Sequence, residues 1–340
     1  MYPLRIEWTE FLGGVNMLGA IIGDIVGSPY EVINIHSKRE IKPFEGTIRG
    51  RCRFTDDSVL CMAVARALIQ SGNEQDDMAL GDAIASKLQE YPRIYPCKRT
   101  ILPGISSYGG GFLKWVEQGD IRAVRKAKSN GGAMRAAPIG WLYSSLSETL
   151  RVAKIATERT HNSREAIESA QMIAAAVFLA RRVKDKNIIR RYGERNFGYT
   201  ILRGRSGYEQ LREESQRYRK EKIRKLELKR FVNCGAKHSV ETALFAFLNT
   251  EDYEDCIRTA IAVGGDSDTI ACMAGGIAEA FYGGVPAEWK YRAGGILAEC
   301  GCKPDDLDMV MNFERYAASI TDGWENGIPE SDRVLFGVDG

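Results

Sequence analysis

Only three of the 340 residues are histidine, and the eight cysteines include no Cys-x-x-Cys pair. Zinc is held by imidazoles and thiols at short spacing, so this composition excludes a zinc centre as the organising chemistry. The thiols at Cys52, Cys61, Cys97, Cys234, Cys256, Cys272, Cys300 and Cys302 are scattered, several inside apolar runs such as Leu60-Cys61-Met62. There they behave as small hydrophobes, and the expected setting is a reducing cytoplasm rather than a disulfide framework. No apolar stretch reaches the ~18 residues that span a bilayer, and Leu18 to Val26 is interrupted by Gly23 and Asp24, unlike a signal core. Alternating apolar and polar residues, the mark of half-buried strands, are scarce as well.

The net charge of +2 conceals a split. Residues 181–230 carry eighteen Lys/Arg against seven Asp/Glu, a surplus of eleven, which leaves the remainder of the chain at −9. That basic stretch lacks interleaved aromatics and any nucleic-acid motif, so a solvated helix face is expected and nucleic acid is not the favoured partner.

What is abundant is helical periodicity. Val59, Leu60, Ala63, Val64, Ala67 and Leu68 form one apolar face, and Ala170, Ile173, Ala174, Val177 and Phe178 form another. Capping oxygens precede such runs at Asp56-Asp57-Ser58, Thr160-His161-Asn162-Ser163, Ser239 and Asp268-Thr269. The Gly/Ala-rich run Ala271, Ala274, Gly275, Gly276, Ala278 and Ala280 lets a neighbouring backbone approach closely. With no linker and no repeat of fixed period, one all-α domain is expected over residues 17–322. Residues 1–16 read as an N-terminal extension, about 203–230 as a charged helical segment on the outside, and 323–340 as a C-terminal tail. Long loops are expected around Ile33 to Phe54, Tyr91 to Gly111 and Asn196 to Gly207.

Twice the chain places aspartates just before a helix of small residues: Thr55-Asp56-Asp57, and Asp266-Ser267-Asp268-Thr269 after Gly264-Gly265. Like charges at ~4 Å repel by about 1 to 4 kcal/mol per pair, so bringing the two clusters together calls for a cation. Oxygen donors without paired histidines or thiols select Mg²⁺, Mn²⁺ or Ca²⁺. Glu31 follows the Gly27-Ser28-Pro29-Tyr30 turn and offers a further carboxylate, suited to proton transfer or simply exposed. Tyr108-Gly109-Gly110-Gly111 and Ser129-Asn130-Gly131-Gly132-Ala133-Met134 put backbone N–H groups at helix starts, as phosphate cradles do; each is equally an ordinary turn. His161 is either a ligand contact or a capping residue.

Taken in order, Gly-Asp-Ile-Val-Gly-Ser-Pro-Tyr-Glu, Phe-Thr-Asp-Asp-Ser, Ser-Asn-Gly-Gly-Ala-Met-Arg, Thr-His-Asn-Ser and Gly-Gly-Asp-Ser-Asp-Thr-Ile-Ala resemble the ADP-ribosylglycohydrolase family, relatives of dinitrogenase-reductase-activating glycohydrolase. The resemblance spans Met17 to about Gly284. It implies a compact, single-domain orthogonal helix bundle with two Mg²⁺ or Mn²⁺ ions held by Thr55, Asp56, Asp57, Asp266, Asp268 and Thr269. It implies a catalytic Glu31, and substrate contacts from Tyr108, Gly109, Gly110, Ser129, Asn130, Gly131, Met134 and His161. The implied activity is a glycosidase-type hydrolase that frees ADP-ribose from a modified acceptor, with an ADP-ribosylated arginine on a protein favoured. A small conjugate such as O-acetyl-ADP-ribose, or a non-catalytic ADP-ribose-binding module, are the alternatives; the full ligand set with Glu31 argues against the module.

Overall fold

The computed structural model of the chain describes residues 16–31, 37–47, 50–98, 106–227 and 235–321. The expected extension before Asn16, the tail 323–340, Cys234 and the end of the basic segment at 228–230 lie outside the described residues. Among those described there are fifteen α-helices and no β-strand, only isolated bridges. In chain order they are α1 (Leu18–Gly27), α2 (Asp56–Ser71), α3 (Asp77–Ile94), α4 (Gly110–Gln118), α5 (Ala137–Leu142), α6 (Leu146–Glu158), α7 (Arg164–Val183) and α8 (Lys186–Phe197). Then follow α9 (Gly204–Glu227), α10 (Ala236–Leu248), α11 (Tyr253–Val263), α12 (Ser267–Tyr282), α13 (Ala287–Glu299), α14 (Pro304–Met311) and α15 (Phe313–Thr321). The all-α expectation holds. No helix among the described residues is long and apolar enough to cross a membrane.

Side-chain caps set several helix starts. Thr55, Asp76, Ser145, Ser163 and Asp252 each accept a hydrogen bond from a backbone N–H of the first turn they precede. Two expected caps are different. Ser239 lies inside α10, which starts at Ala236 after Gly235, and its hydroxyl donates back to the Gly235 carbonyl at 3.1 Å. For α12 the cap position is Asp266 rather than Asp268, and no side chain caps it, because the Asp266 carboxylate is engaged elsewhere. The charged helix α9 also begins at Gly204, with Leu211 and the partly buried Tyr208 packed against Phe245 and Val263.

α12 is the axis of the molecule. Its residues from Ser267 to Ala280 are all buried, and α1, α7, α10 and α11 pack around it. Against α1 the approach is backbone to backbone. Gly19, Gly23 and Gly27 recur every fourth residue and so share one face of α1. A Cβ at Gly23 would lie 2.0 Å from the Ala271 carbonyl oxygen, and one at Gly27 would lie 2.7 Å from the Asp268 Cα. From the other side, a Cβ at Gly275 would lie 2.3 Å from the Gly19 carbonyl oxygen. The buried Glu279 carboxylate accepts the Gly19 N–H at 2.7 Å, and Tyr253 donates its hydroxyl to the Gly19 carbonyl at 2.7 Å.

Gly23→Ala is expected to destabilise the fold by at least about 3 kcal/mol in urea unfolding, since neither backbone can retreat, whereas Gly295→Ala, with open space beside it, stays near neutral. Burial pushes the Glu279 carboxyl up to about 8 from its ordinary 4.5. A raised carboxylate pKa means that the folded state resists ionisation, so stability falls as pH rises from 4.5 towards 8. Glu279→Gln should flatten that part of the stability–pH curve; an unchanged slope would assign the dependence to another group.

Candidate active site

Five elements converge at one cavity of ≈ 520 Å³: the end of α1 with its following turn, the starts of α2, α4 and α12, and the short turn Asn130–Gly132. Glu31, Thr55, Asp56, Asp57, Asp266, Asp268 and Thr269 line one wall, so the two aspartate clusters, far apart in sequence, do meet. The carboxylate oxygens of Glu31, Asp266 and Asp268 lie within 4.8 Å of one another, and so do those of Asp24, Asp57 and Asp268. Asp268 belongs to both sets.

Asp24 is a site residue that sequence reasoning passed over. It is wholly buried in α1 and accepts four hydrogen bonds from the start of α2: Thr55 N–H at 2.8 Å, Thr55 Oγ1 at 2.7 Å, Ser58 N–H at 3.1 Å and Ser58 Oγ at 2.5 Å. A charged residue in the apolar run Leu18 to Val26 was the signal that could have found it. Its effect is directional. Because Asp24 takes the Thr55 hydroxyl proton, the lone pairs of Thr55 Oγ1 are left for the cavity side, beside Asp57.

The donor set fits a divalent cation. Burial, and after it the charges of Asp24, Asp56, Asp268 and Asp266, hold the Asp57 carboxyl well above the usual carboxylate range. Asp57 Oδ2 accepts from Thr269 Oγ1 at 3.2 Å and lies at the same distance from Thr55 Oγ1, whose proton goes to Asp24, while Oδ1 is buried with no hydrogen-bond partner among the described residues. An orphaned carboxylate oxygen facing further carboxylates is costly unless a cation completes it. All of these donors are oxygens, which suits Mg²⁺ or Mn²⁺.

The rest of the lining is amide-rich and basic. Gly109, Gly110 and Gly111 open α4 there, beside Arg125, Lys126, Lys128, Ser129, Asn130, Gly131, Met134 and His161. The start of α4 adds the positive end of its dipole. The Arg125 guanidinium lies over the helix start, its Nη2 2.4 Å from where a Cβ at Gly111 would be. The Arg125-Lys126-Ala127-Lys128 cluster had not been singled out; its basic character just ahead of the Ser129-Asn130-Gly131 turn was the available sign.

Asn130 joins the two parts of the lining. Its amide donates to Asp266 Oδ2 at 2.8 Å and to Ser239 Oγ at 3.1 Å, which turns Asp266 away from capping α12. His161 Nε2 lies 3.0 Å from Ser129 Oγ, over Gly131, where a Cβ would meet the ring at 2.8 Å. Burial, then Arg135 and Arg125, hold the imidazole pKa well below its ordinary value, so His161 is neutral at pH 7. Tyr108 lies between the lining residues Ser107 and Gly109 and is not itself among them. Its hydroxyl donates to the Tyr95 carbonyl at 2.8 Å and its ring stacks on Phe112.

With this geometry in place, similarity to known proteins becomes specific. The family model for ADP-ribosylglycohydrolase matches residues 14–312. The chain belongs to the ADP-ribosylglycohydrolase family. Among curated relatives, ADP-ribosylhydrolase ARH3 of Homo sapiens is 27% identical, covering 83% of this chain and 90% of its own length. ARH3 of Bos taurus is likewise 27% identical, with 82% and 87% covered. ADP-ribosylarginine hydrolase Tri1 of Pseudomonas putida (strain GB-1) is 26% identical, with 80% and 71% covered. A solved structure titled ADP-ribosylglycohydrolase-related protein complex superposes with a TM-score of 0.60 at 21% identity, covering 91% of this chain and 96% of that one, which establishes the shared fold. The hydrolase class expected from the motifs is the class of this family.

A raised Asp57 pKa implies that, without divalent cation, its ionised form opposes folding as pH rises above the usual carboxylate range. In chelator at pH 7, Asp57→Asn is therefore expected to melt a few degrees above the unsubstituted chain. Added Mg²⁺ or Mn²⁺ should raise the melting temperature of the unsubstituted chain and leave the variant nearly unmoved; an equal rise in both would remove Asp57 from the metal site.

Proposed function

We propose that this chain hydrolyses the N- or O-glycosidic bond joining ADP-ribose to an acceptor, most favourably an arginine side chain of a modified protein. One observation carries the reading: a single cavity is lined both by carboxylates and hydroxyls and by helix starts and basic side chains. A ligand that matches both must present hydroxyls to the first and anionic oxygens to the second. A ribose linked to a diphosphate does so. The arginine preference draws on the relative named ADP-ribosylarginine hydrolase, and the general activity on those named ADP-ribosylhydrolase.

Thr55, Asp56, Asp57, Asp266, Asp268 and Thr269 are the residues that would hold two Mg²⁺ or Mn²⁺ ions. When bound, such ions offset the carboxylate charge, polarise ribose hydroxyl oxygens and lower the pKa of water. The protein's own groups do the rest. Glycine amides of α4 and the Ser129–Gly131 turn orient the diphosphate end, fixing the anomeric carbon at the acidic wall. Glu31 is buried beside Asp266 and Asp268 and is placed to take a proton from the attacking water or to pass one to the leaving group. The bond from the anomeric carbon to the acceptor breaks through an oxocarbenium-like transition state, water oxygen takes its place, and the acceptor leaves with a proton.

With Mg²⁺ or Mn²⁺ present, the purified chain is expected to release free ADP-ribose from ADP-ribosylated arginine, and chelation to stop it. Glu31→Gln should bind ADP-ribose normally while kcat falls by roughly 10²- to 10⁴-fold, and Asp268→Ala should lose turnover and metal response together. Turnover of arginine-linked, serine-linked and O-acetyl substrates in parallel identifies the acceptor; inactivity on all of them would reject the reading.

A further inference from the structure

Arg135 is 1% exposed, and no carboxylate pairs with it among the described residues. Its Nη2 donates to the Ala156 carbonyl at 2.9 Å and to Thr160 Oγ1 at 2.6 Å. A guanidinium only donates, so Thr160 Oγ1 accepts here and must send its own proton elsewhere. Two acceptors are in reach. The Thr157 carbonyl, at 3.4 Å, already takes the backbone N–H groups of Thr160 and His161 at 3.1 and 2.8 Å. His161 Nδ1, at 2.9 Å, has no such claim on it. The hydroxyl proton therefore goes to Nδ1, which makes His161 the tautomer protonated at Nε2. That N–H then donates to Ser129 Oγ at 3.0 Å, and the Ser129 proton is turned to the cavity that Ser129 lines.

We infer that Arg135 and Thr160 are positioning residues: the one-way chain Arg135–Thr160–His161–Ser129 fixes the His161 tautomer, so that the Ser129 hydroxyl proton is left for the ligand. The subsite it creates favours an anionic or other acceptor oxygen. The basic side chains of Arg125, Lys126 and Lys128 along the same wall favour the same ligand polarity. The identity of that ligand as ADP-ribose rests on the function proposed above; the tautomer does not.

The test uses the full chain with ¹⁵N-labelled histidine and Mg²⁺, the His161 signals being assigned with His36→Gln and His238→Gln variants. At pH 7 the unsubstituted chain should show His161 protonated at Nε2 and bare at Nδ1; the opposite pattern overturns the inference without any ligand. Thr160→Val, which keeps the shape and removes the hydroxyl, should mix the two tautomers and weaken ADP-ribose binding by about tenfold in calorimetry. Thr160→Ser should retain both the tautomer and the affinity. A valine variant with unchanged tautomer and affinity, or a serine variant that loses both, refutes the positioning role. Should the valine variant fail to fold, the spectrum of the unsubstituted chain and the serine variant still decide. If the unsubstituted chain binds no ADP-ribose yet shows the expected tautomer, the ligand reading falls and the hydrogen-bond chain stands.

Discussion

Everything at the active site depends on how closely α1 can lie against α12. Three glycines at four-residue spacing remove every Cβ from the α1 face, and Gly275 does the same on α12. The two backbones then meet so closely that Gly27 stands against Asp268, and the Ser267 hydroxyl donates to the Gly27 carbonyl at 3.2 Å. Four residues beyond Gly27 is Glu31. The distance between the candidate base and the aspartate shared by both carboxylate sets is therefore set largely by close backbone approach, which leaves little room for rotamer drift.

The same contact brings Asp24 under the start of α2, where it satisfies two backbone N–H groups and two hydroxyls. Buried carboxylates are tolerated when their lone pairs are filled, and Asp24 meets that condition from within the protein. Asp57 does not, since its Oδ1 is buried without a hydrogen-bond partner among the described residues. The two aspartates differ in this way: one orients the Thr55 hydroxyl, the other is left incomplete. Just beneath, the thiols of Cys61 on α2 and Cys272 on α12 both point at the Met134 carbonyl, at 3.3 and 3.4 Å, so the cavity floor is packed by small groups.

The helical class was legible because apolar positions repeat at helical spacing over most of the chain, and the meeting of the acidic clusters because adjacent aspartates before a small-residue helix are hard to explain otherwise. The Gly/Ala run of α12 announced a close neighbour, but the sequence could not say that α1 is that neighbour, since the contact joins segments more than 240 residues apart. Asp24 was hidden for the same reason: its partners are on another helix. For Tyr108 the motif fixes where the residue lies along the chain but not that its hydroxyl donates to the Tyr95 carbonyl. Ser239 shows a further limit. Serine before an apolar run reads as a cap, yet Gly235 starts α10 earlier and frees that hydroxyl to hold Asn130.

The pairing of α1 with α12 also has a consequence for biosynthesis. Glu31 and Asp24 emerge from the ribosome early, Asp266 and Asp268 late, and no shorter stretch of the chain holds both halves. A growing polypeptide carries an unmatched acidic half-site until α12 has left the exit tunnel and docked. The two acidic clusters thus meet only once α12 has packed against α1, so the cavity they share is a product of a contact between distant parts of the chain.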